Sequence, residues 1–596
     1  MIARIIVCLC LFIAVVSSPS GVVAQELSEP RWRHPVAVAL VGTQDVIVTA
    51  NQRSGSVSLI NTRDPSVIRE FPVGQRLSSI VATPDPQRFL VTDEAAHELL
   101  SLRISEDTCT IEQRLSVRRD PVSVTVDRDG RYASVACLWS RTMCLVDLPQ
   151  WLNQAAVDPS VLIRNIPLPF CPDQQLLIEQ QDQQRIEGLQ HPASDKLVVA
   201  DRFGSQLAVI DLLTGNVESV REIAGHAIRG LRLHPTRPKL FMTHQLLNRT
   251  AQANFDDIHW GNLAANCLRS LDLTDLLDPA GDLLKHSVVD YLGGPEQGAA
   301  DPGGFVIVDD QRYCVALSGT DEVYCRNGSG RPLRLPMGAK PAAVVLSADR
   351  TKAFVASSLG DRVRVVDLDL QQFPEPISLG PTPALTAVDR GEILFHSAKL
   401  SHDRWISCSS CHVAGHTNGL LNDNFTDGTF GTAKRIVSLR GVGQTAPYAW
   451  NGRFENLADQ VLHSVKSTMQ GESLDDEQTD CLVAFLRTLP PAPGIGSSDP
   501  AASERGSALF QQLNCQRCHA PPTMTSTGLF DVQLKDERGE RTFNPPSLRG
   551  VSQNAPYFHD GRAKNLDAVV KEFRHQLDRE LSPDESRDLI EFLKDL

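Results

Sequence analysis

From Pro35 to Leu368 the chain alternates apolar and polar residues in short runs, broken by turns rich in Asp, Gly, Pro and Arg. The pattern is clearest from Asp120 to Leu148, where Pro121-Val122-Ser123-Val124-Thr125-Val126 opens a unit that closes on Asp147-Leu148. It returns from Lys340 to Leu368. Period two predicts strands, because successive side chains of a strand point to opposite faces. Similar units begin near Pro35, Leu77, Ile186, Ile228 and Pro302, which makes seven. Strand repeats of about 40 residues need neighbours to bury their faces, and a closed ring removes the open edges. The prediction is an all-β propeller over 25–370 with seven blades; the spacing also admits six or eight. Two stretches break the period, 149–184 and 245–266, the second containing Asp257-Ile258-His259-Trp260. Long inserts on a regular scaffold either carry a contact or function, or simply pack over the scaffold.

Beyond Leu368 the alternation stops. Prolines 374, 376, 381 and 383 mark a linker over 371–385. Two parallel segments follow, 386–489 and 503–596, joined by the Pro/Gly/Ser-rich stretch 490–502. Arg390-Gly391 through Leu394-Phe395 corresponds to Arg505-Gly506 through Leu509-Phe510. Ser438-Leu439-Arg440-Gly441 through Gly452-Arg453 corresponds to Ser547-Leu548-Arg549-Gly550 through Gly561-Arg562. Each segment ends on an apolar set at helical spacing: Leu482, Phe485, Leu486 and Leu489 in one, Leu589, Phe592, Leu593 and Leu596 in the other. The C-terminal third therefore reads as an internal duplication of a small all-α unit.

The N-terminus changes the picture of where the protein works. Arg4, the apolar run Ile5–Val16 and Val22-Val23-Ala24 before Gln25 read as a signal peptide over 1–24, with a retained anchor as the rival. An exported, periplasmic protein is expected. The formal charge of -14 and the lack of a basic stripe argue against nucleic acid as partner. Of 14 cysteines, Cys137 with Cys144 and Cys314 with Cys325 are spaced to face across hairpins, as disulfides or as buried thiols.

The candidate chemistry lies in Cys408-Ser409-Ser410-Cys411-His412 and Cys515-Gln516-Arg517-Cys518-His519. Cys-x-x-Cys-His is the attachment signature of a c-type haem: two thiols form thioethers to the vinyl groups and the adjacent His ligates the iron. Zinc or disulfides are the competing readings of one such motif; two in tandem favour two covalent haems.

Residues from about 385 to 596 resemble the bacterial di-haem cytochrome c peroxidase / MauG family, on the tandem haem motifs and on Ala446-Pro447-Tyr448 and Ala555-Pro556-Tyr557, each followed by Gly-Arg. The strand repeats resemble YVTN-type propellers. The resemblance implies a peroxide-reactive haem in the first lobe. A second-lobe haem would take electrons from a small carrier, a cytochrome c or cupredoxin. Trp450 matches the family's tryptophan between the haems, with a core tryptophan as the alternative. Gln460 matches a distal-side glutamine. Gln470 stands where the family carries a proton-moving glutamate, and an amide cannot act as general acid or base at neutral pH; Glu472 is the possible substitute. For the sixth iron ligands the candidates are Met469 in the first lobe, which could also line the pocket or pack, and His575 in the second, with Met524 as competitor. His416 and His463 read as solvated. The resemblance also allows one calcium ion between the lobes. Three functions follow as expectations: reduction of hydrogen peroxide, MauG-like oxidation of a protein client held by the propeller, or electron transfer without catalysis with the propeller as docking module.

Overall fold

The computed structural model describes residues 21–22, 29–42, 46–64, 68–105, 107–153, 159–186, 194–369 and 374–596. The leader run Ile5–Val16 and the proposed cleavage point after Ala24 lie outside the described residues. Among the described residues no helix is long and apolar enough to cross a membrane.

Seven sheets form the propeller, each a meander of consecutive antiparallel strands. Their first strands are Pro35–Val41, Leu77–Ala82, Pro121–Val126, Pro172–Ile178, His226–Leu233, Pro302–Ile307 and Pro341–Leu346. A two-residue strand, Gly21–Val22, adds a fifth to the second blade by pairing with Cys109 and Thr110. The fourth blade starts at Pro172 rather than near Ile186. The stretch 149–184 is not a plain insertion: it supplies the outer strand Ile163–Pro167 of blade three and the inner strand of blade four.

Second and third strands are almost wholly buried, as in Val46–Asn51 and Phe89–Asp93. They bury both faces because each sheet is packed between two others, which is why their apolar residues run on rather than alternating strictly. Among the described residues no strand is exchanged between the first and last blades. The ring closes instead through side chains. Ile47 and Ile60 of blade one pack with Phe354 and Val363 of blade seven. Fully buried Arg33 pairs with Glu70 at 3.0 Å and Asp361 at 3.4 Å.

The C-terminal third is mainly helical. Ala387–Phe395 crosses Asp476–Thr488 in the first lobe, and Pro500–Gln512 crosses Pro583–Asp595 in the second. It is not purely α: each lobe carries a two-residue antiparallel hairpin, Leu421–Asn422 with Lys434–Arg435 and Phe530–Asp531 with Thr542–Phe543. Both crossings are built on glycine. A Cβ on Gly391 would lie 1.9 Å from the Cys481 carbonyl oxygen, and one on Gly506 equally close to that of Asp588. The helices would have to separate, so Gly391→Ala is expected to destabilise the first lobe by about 3 kcal/mol or more. A thermal melt of the haem-loaded protein checks this; an unchanged midpoint would contradict the crossing geometry.

Cys314 and Cys325 form a disulfide, whereas Cys137 and Cys144 stay as thiols 3.7 Å apart. Register explains the difference. Cys314 pairs directly with Cys325, but Cys137 opposes Thr142 and Cys144 opposes Val135.

Candidate redox site

The first haem motif is a single helical turn, Cys408–Cys411, with Ser407 as N-cap. Its position is fixed from the propeller. Asp301, fully buried at the entry to blade six, takes the left-handed conformation (φ 57°). Its carboxylate accepts from the hydroxyls of Ser407 at 2.5 Å, Ser410 at 2.8 Å and Ser409 at 3.2 Å. Arg229 lies 3.3 Å from the same carboxylate and donates to the Ser409 carbonyl. His226 Nε2–H donates to the Ser410 carbonyl at 3.1 Å. Two blades thus grip the three serines around the thiols, through groups that would be costly to bury alone.

The grip has a pH dependence. Burial holds the His226 imidazole down at about 4, against 6.5 when unperturbed, with Arg229 lowering it and Asp301 raising it. Between those values the unfolded chain binds more protons than the folded one, so stability rises with pH across that window. As pH falls from about 6.5 towards 4 the fold is expected to lose up to about 1.4 kcal/mol per unit for this group alone. Melting midpoints measured across the window should fall, and fall less in His226→Gln; equal slopes would contradict the assignment. His244 and His416, each held at about 3 by burial, act in the same direction.

The second motif lies on a tighter turn, Cys515–Arg517, in the second lobe. His519 Nδ1–H donates to the Met524 carbonyl at 3.3 Å. Its imidazole is held at about 4, mainly by burial and next by neighbouring His575. His575 follows the turn that ends at Phe573, its ring 5.3 Å from that of Phe558. Its Nδ1 is buried without a hydrogen-bond partner, and burial keeps it at about 4. Met524 is buried in the apolar core of the second lobe beside Leu509 and Tyr557.

These residues suit covalent haem. The thiols of Cys408, Cys411, Cys515 and Cys518 are unpaired. Burial holds His412 at about 4, so both proximal imidazoles are neutral and offer a lone pair. His412 Nδ1 is buried without a partner. Among the described residues, neither pair of thiols gathers with a third ligand into a cluster of metal-binding size.

Trp450 sits at the boundary of the lobes. Its indole N–H donates to the Arg435 carbonyl at 2.8 Å, and the Arg435 guanidinium lies over its ring. Phe543 and His559 of the second lobe meet it edge-on, with centroids 6.5 and 6.4 Å away. Gln460, on the helix Leu457–His463, donates to the Ser464 hydroxyl, while its Oε1 is buried without a partner. His463, three residues on, is half-buried rather than solvated. Its Nε2 is also buried and unpartnered, and desolvation lowers its pKa. Gln470 faces elsewhere: its amide donates to the carbonyls of Ala253 and Ser467, at 2.8 and 2.7 Å. Glu472 is exposed. Met469 is buried among Ala253, Ile258, Trp405 and Val465, in the seam between the propeller insert and the first lobe.

His416 is a correction. It is buried where three bodies meet, bonded to the Ser438 hydroxyl and the Gln553 carbonyl and packed edge-on against Trp139 and Phe203. Sequence proximity to the motif suggested a solvated loop; the propeller rings that cover it are distant in sequence. The insert 245–266 does meet the first lobe. Gln252 bridges to Asp423, Trp405 Nε1–H donates to the His259 carbonyl, and His259 meets Asp403. Beside it a cavity of about 450 Å³ opens between Trp260, Tyr291 and Trp405.

Comparison with known proteins bears on the same region. Residues 386–490 match the family model described as di-haem cytochrome c peroxidase. The cytochrome c peroxidase Ccp of Escherichia coli is 27% identical over 38% of this chain, which spans 60% of that relative's length. The methylamine utilization protein MauG of Methylophilus methylotrophus is 26% identical over 38% of this chain and 88% of its own. Among solved structures, Kuenenia stuttgartiensis hydrazine synthase aligns with 57% of this chain and 97% of its own, at 16% identity and a TM-score of 0.46. The C-terminal third thus carries the sequence pattern of di-haem c-type oxidoreductases, fused here to a seven-bladed propeller.

Proposed function

We propose that the protein is an exported oxidoreductase that reduces hydrogen peroxide to water at the first-lobe haem, with electrons delivered by a small redox carrier to the second. The observation that carries this reading is Trp450, set between the lobes and touching second-lobe rings. Each turnover takes two electrons and two protons to convert one peroxide into two waters. The haems supply the iron redox chemistry; the chain orients them, links them and handles protons.

His412 and His519 would ligate the two haem irons, and Asp301 with its three serine partners fixes the first motif against the propeller. Trp450 offers an aromatic step between the lobes. Gln460 and His463 share one helix face with buried, unpartnered atoms, which fits residues lining the reaction pocket. We assign the proton-handling role to His463, because both hydrogens of the Gln470 amide are engaged by carbonyls and Glu472 is exposed. Burial lowers the pKa of this imidazole, so it stands as a neutral base able to take a proton from peroxide and return it. His575, close enough to His519 to lower its pKa and with a buried, unpartnered Nδ1, is the proposed sixth ligand of the second haem. Imidazole in place of a thioether there lowers the potential.

A specific observation favours one alternative. Trp260 and Tyr291 are more than half exposed around the cavity that Trp405 backs, and Trp405 is three residues from Cys408. Such a patch suits a protein client oxidised from a distance. The deciding experiment is steady-state peroxide consumption by the two-haem protein supplied with a reduced small cytochrome c. Sustained turnover that collapses in His463→Gln supports the peroxidase reading. No turnover with carrier, but peroxide-dependent oxidation of a protein that binds this patch, replaces it with the client reading. Failure of both leaves an electron-transfer protein.

A further inference from the structure

The insert of blade five and the first haem lobe meet at three potential metal ligands. His259 ends the short helix Phe255–His259; His402 and Asp403 lie in the turn just ahead of the first haem motif. The three ligand atoms fall within 4.8 Å of one another. His259 Nδ1 is 2.7 Å from Asp403 Oδ2, and His402 Nε2 is 3.4 Å from the same oxygen. His402 Nε2 is buried and has no hydrogen-bond partner.

The surrounding backbone is shaped to present the carboxylate. Asp403 and Arg404 are consecutive non-glycine residues in the left-handed region, at φ 53° and 62°. Such a pair costs of the order of 1–2 kcal/mol per residue and persists only where its surroundings enforce it. Here they do: the Asp403 carbonyl accepts from Gly298 N–H at 2.7 Å, its Oδ2 from Glu296 N–H at 3.2 Å, and His402 N–H donates to the Met469 carbonyl. Phe255 covers one side, its ring 4.2 Å from that of His402. The side chains of His259 and His402 each keep 24% of their exposure, so an opening to solvent remains.

We propose that His259, His402 and Asp403 bind one zinc ion, with water as the fourth ligand, and that this ion staples the propeller insert to the first lobe. Two imidazoles with one carboxylate are a nitrogen-rich set that suits zinc and disfavours calcium or magnesium. Ligands at about 2.1 Å in a tetrahedron stand about 3.4 Å apart, which the His402–Asp403 separation already meets; the His259–Asp403 hydrogen bond at 2.7 Å would open on binding, with the His259 proton moving to Nε2 so that Nδ1 takes the ion. Neither half of the site can hold the ion alone: the insert supplies one ligand and the lobe two. Binding therefore couples the two bodies and stabilises the assembled form by mass action. Nothing in this site depends on which reaction the haems carry out.

The test uses the full chain with both haems, dialysed against a chelator and titrated with zinc chloride alone. Elemental analysis should give one zinc beside two irons, and the melting midpoint should rise with zinc. His402→Ala and, independently on the propeller side, His259→Gln should each weaken zinc binding by at least about 100-fold, with iron content and haem absorption unchanged as the check on folding. Absence of stoichiometric zinc, full retention of zinc in both variants, or a third iron in its place would overturn the proposal.

Discussion

Trp450→Ala is expected to leave both haems attached and to slow peroxide-driven oxidation of the second haem by about 100-fold, equivalent to about 2.7 kcal/mol in barrier. The indole occupies the boundary between the lobes, and the rings that meet it, Phe543 and His559, belong to the second lobe. Alanine removes the ring and the hydrogen bond to the Arg435 carbonyl. A merely structural tryptophan would behave differently. Its loss would reduce stability through the space left behind, by up to about 3–5 kcal/mol for a fully buried ring and less here, and so lower the melting midpoint with the internal rate preserved. Trp450→Phe separates the two, since it keeps an aromatic step and gives up the N–H. Rapid mixing of the half-reduced protein with peroxide reads the rate directly. Partial recovery in the phenylalanine variant is expected; equal rates in all three proteins would remove Trp450 from the path.

Asp301→Ala is expected to cost about 3–5 kcal/mol and to impair the first haem selectively. The substitution leaves the hydroxyls of Ser407, Ser409 and Ser410 without their shared acceptor and the Arg229 guanidinium without its counter-charge. It also puts an alanine at φ 57°, a conformation aspartate and asparagine tolerate better. Asp301→Asn keeps the backbone preference and some acceptor capacity while removing the charge, so it should fall between. The readouts are the melting midpoint and the ratio of first-lobe to second-lobe haem, resolved by reductive titration. Loss confined to the first lobe is the expected result. Equal loss from both lobes, or none, would mean that the propeller does not hold the first motif.

The sequence made the architecture legible where physics is local. Alternation marked the strands, and repeated turns set their number. Blade four was misplaced because its inner strand, Pro172–Ile178, lies in a Pro- and Gln-rich stretch with no clean period. The haem motifs were legible because thioether chemistry fixes their spacing. What stayed hidden is long-range. Asp301 lies 106 residues from Ser407, and no local pattern marks it as the anchor of a haem motif. His416 looked solvated because Trp139 and Phe203, which bury it, come from the propeller. Gln470 was readable as an amide in place of a carboxylate. That its two hydrogens are taken by Ala253 and Ser467 required the fold. His463 was undervalued for a related reason: its buried, unpartnered Nε2 is a tertiary property.

The most direct test of the account is a single turnover. The two-haem protein is reduced by one electron equivalent, freed of reductant and mixed with one equivalent of hydrogen peroxide, while the absorption of both haems and the remaining peroxide are followed together. The account predicts that peroxide disappears and that the second-lobe haem loses its electron in the same phase. Peroxide left intact, with both haem spectra unchanged, would contradict it.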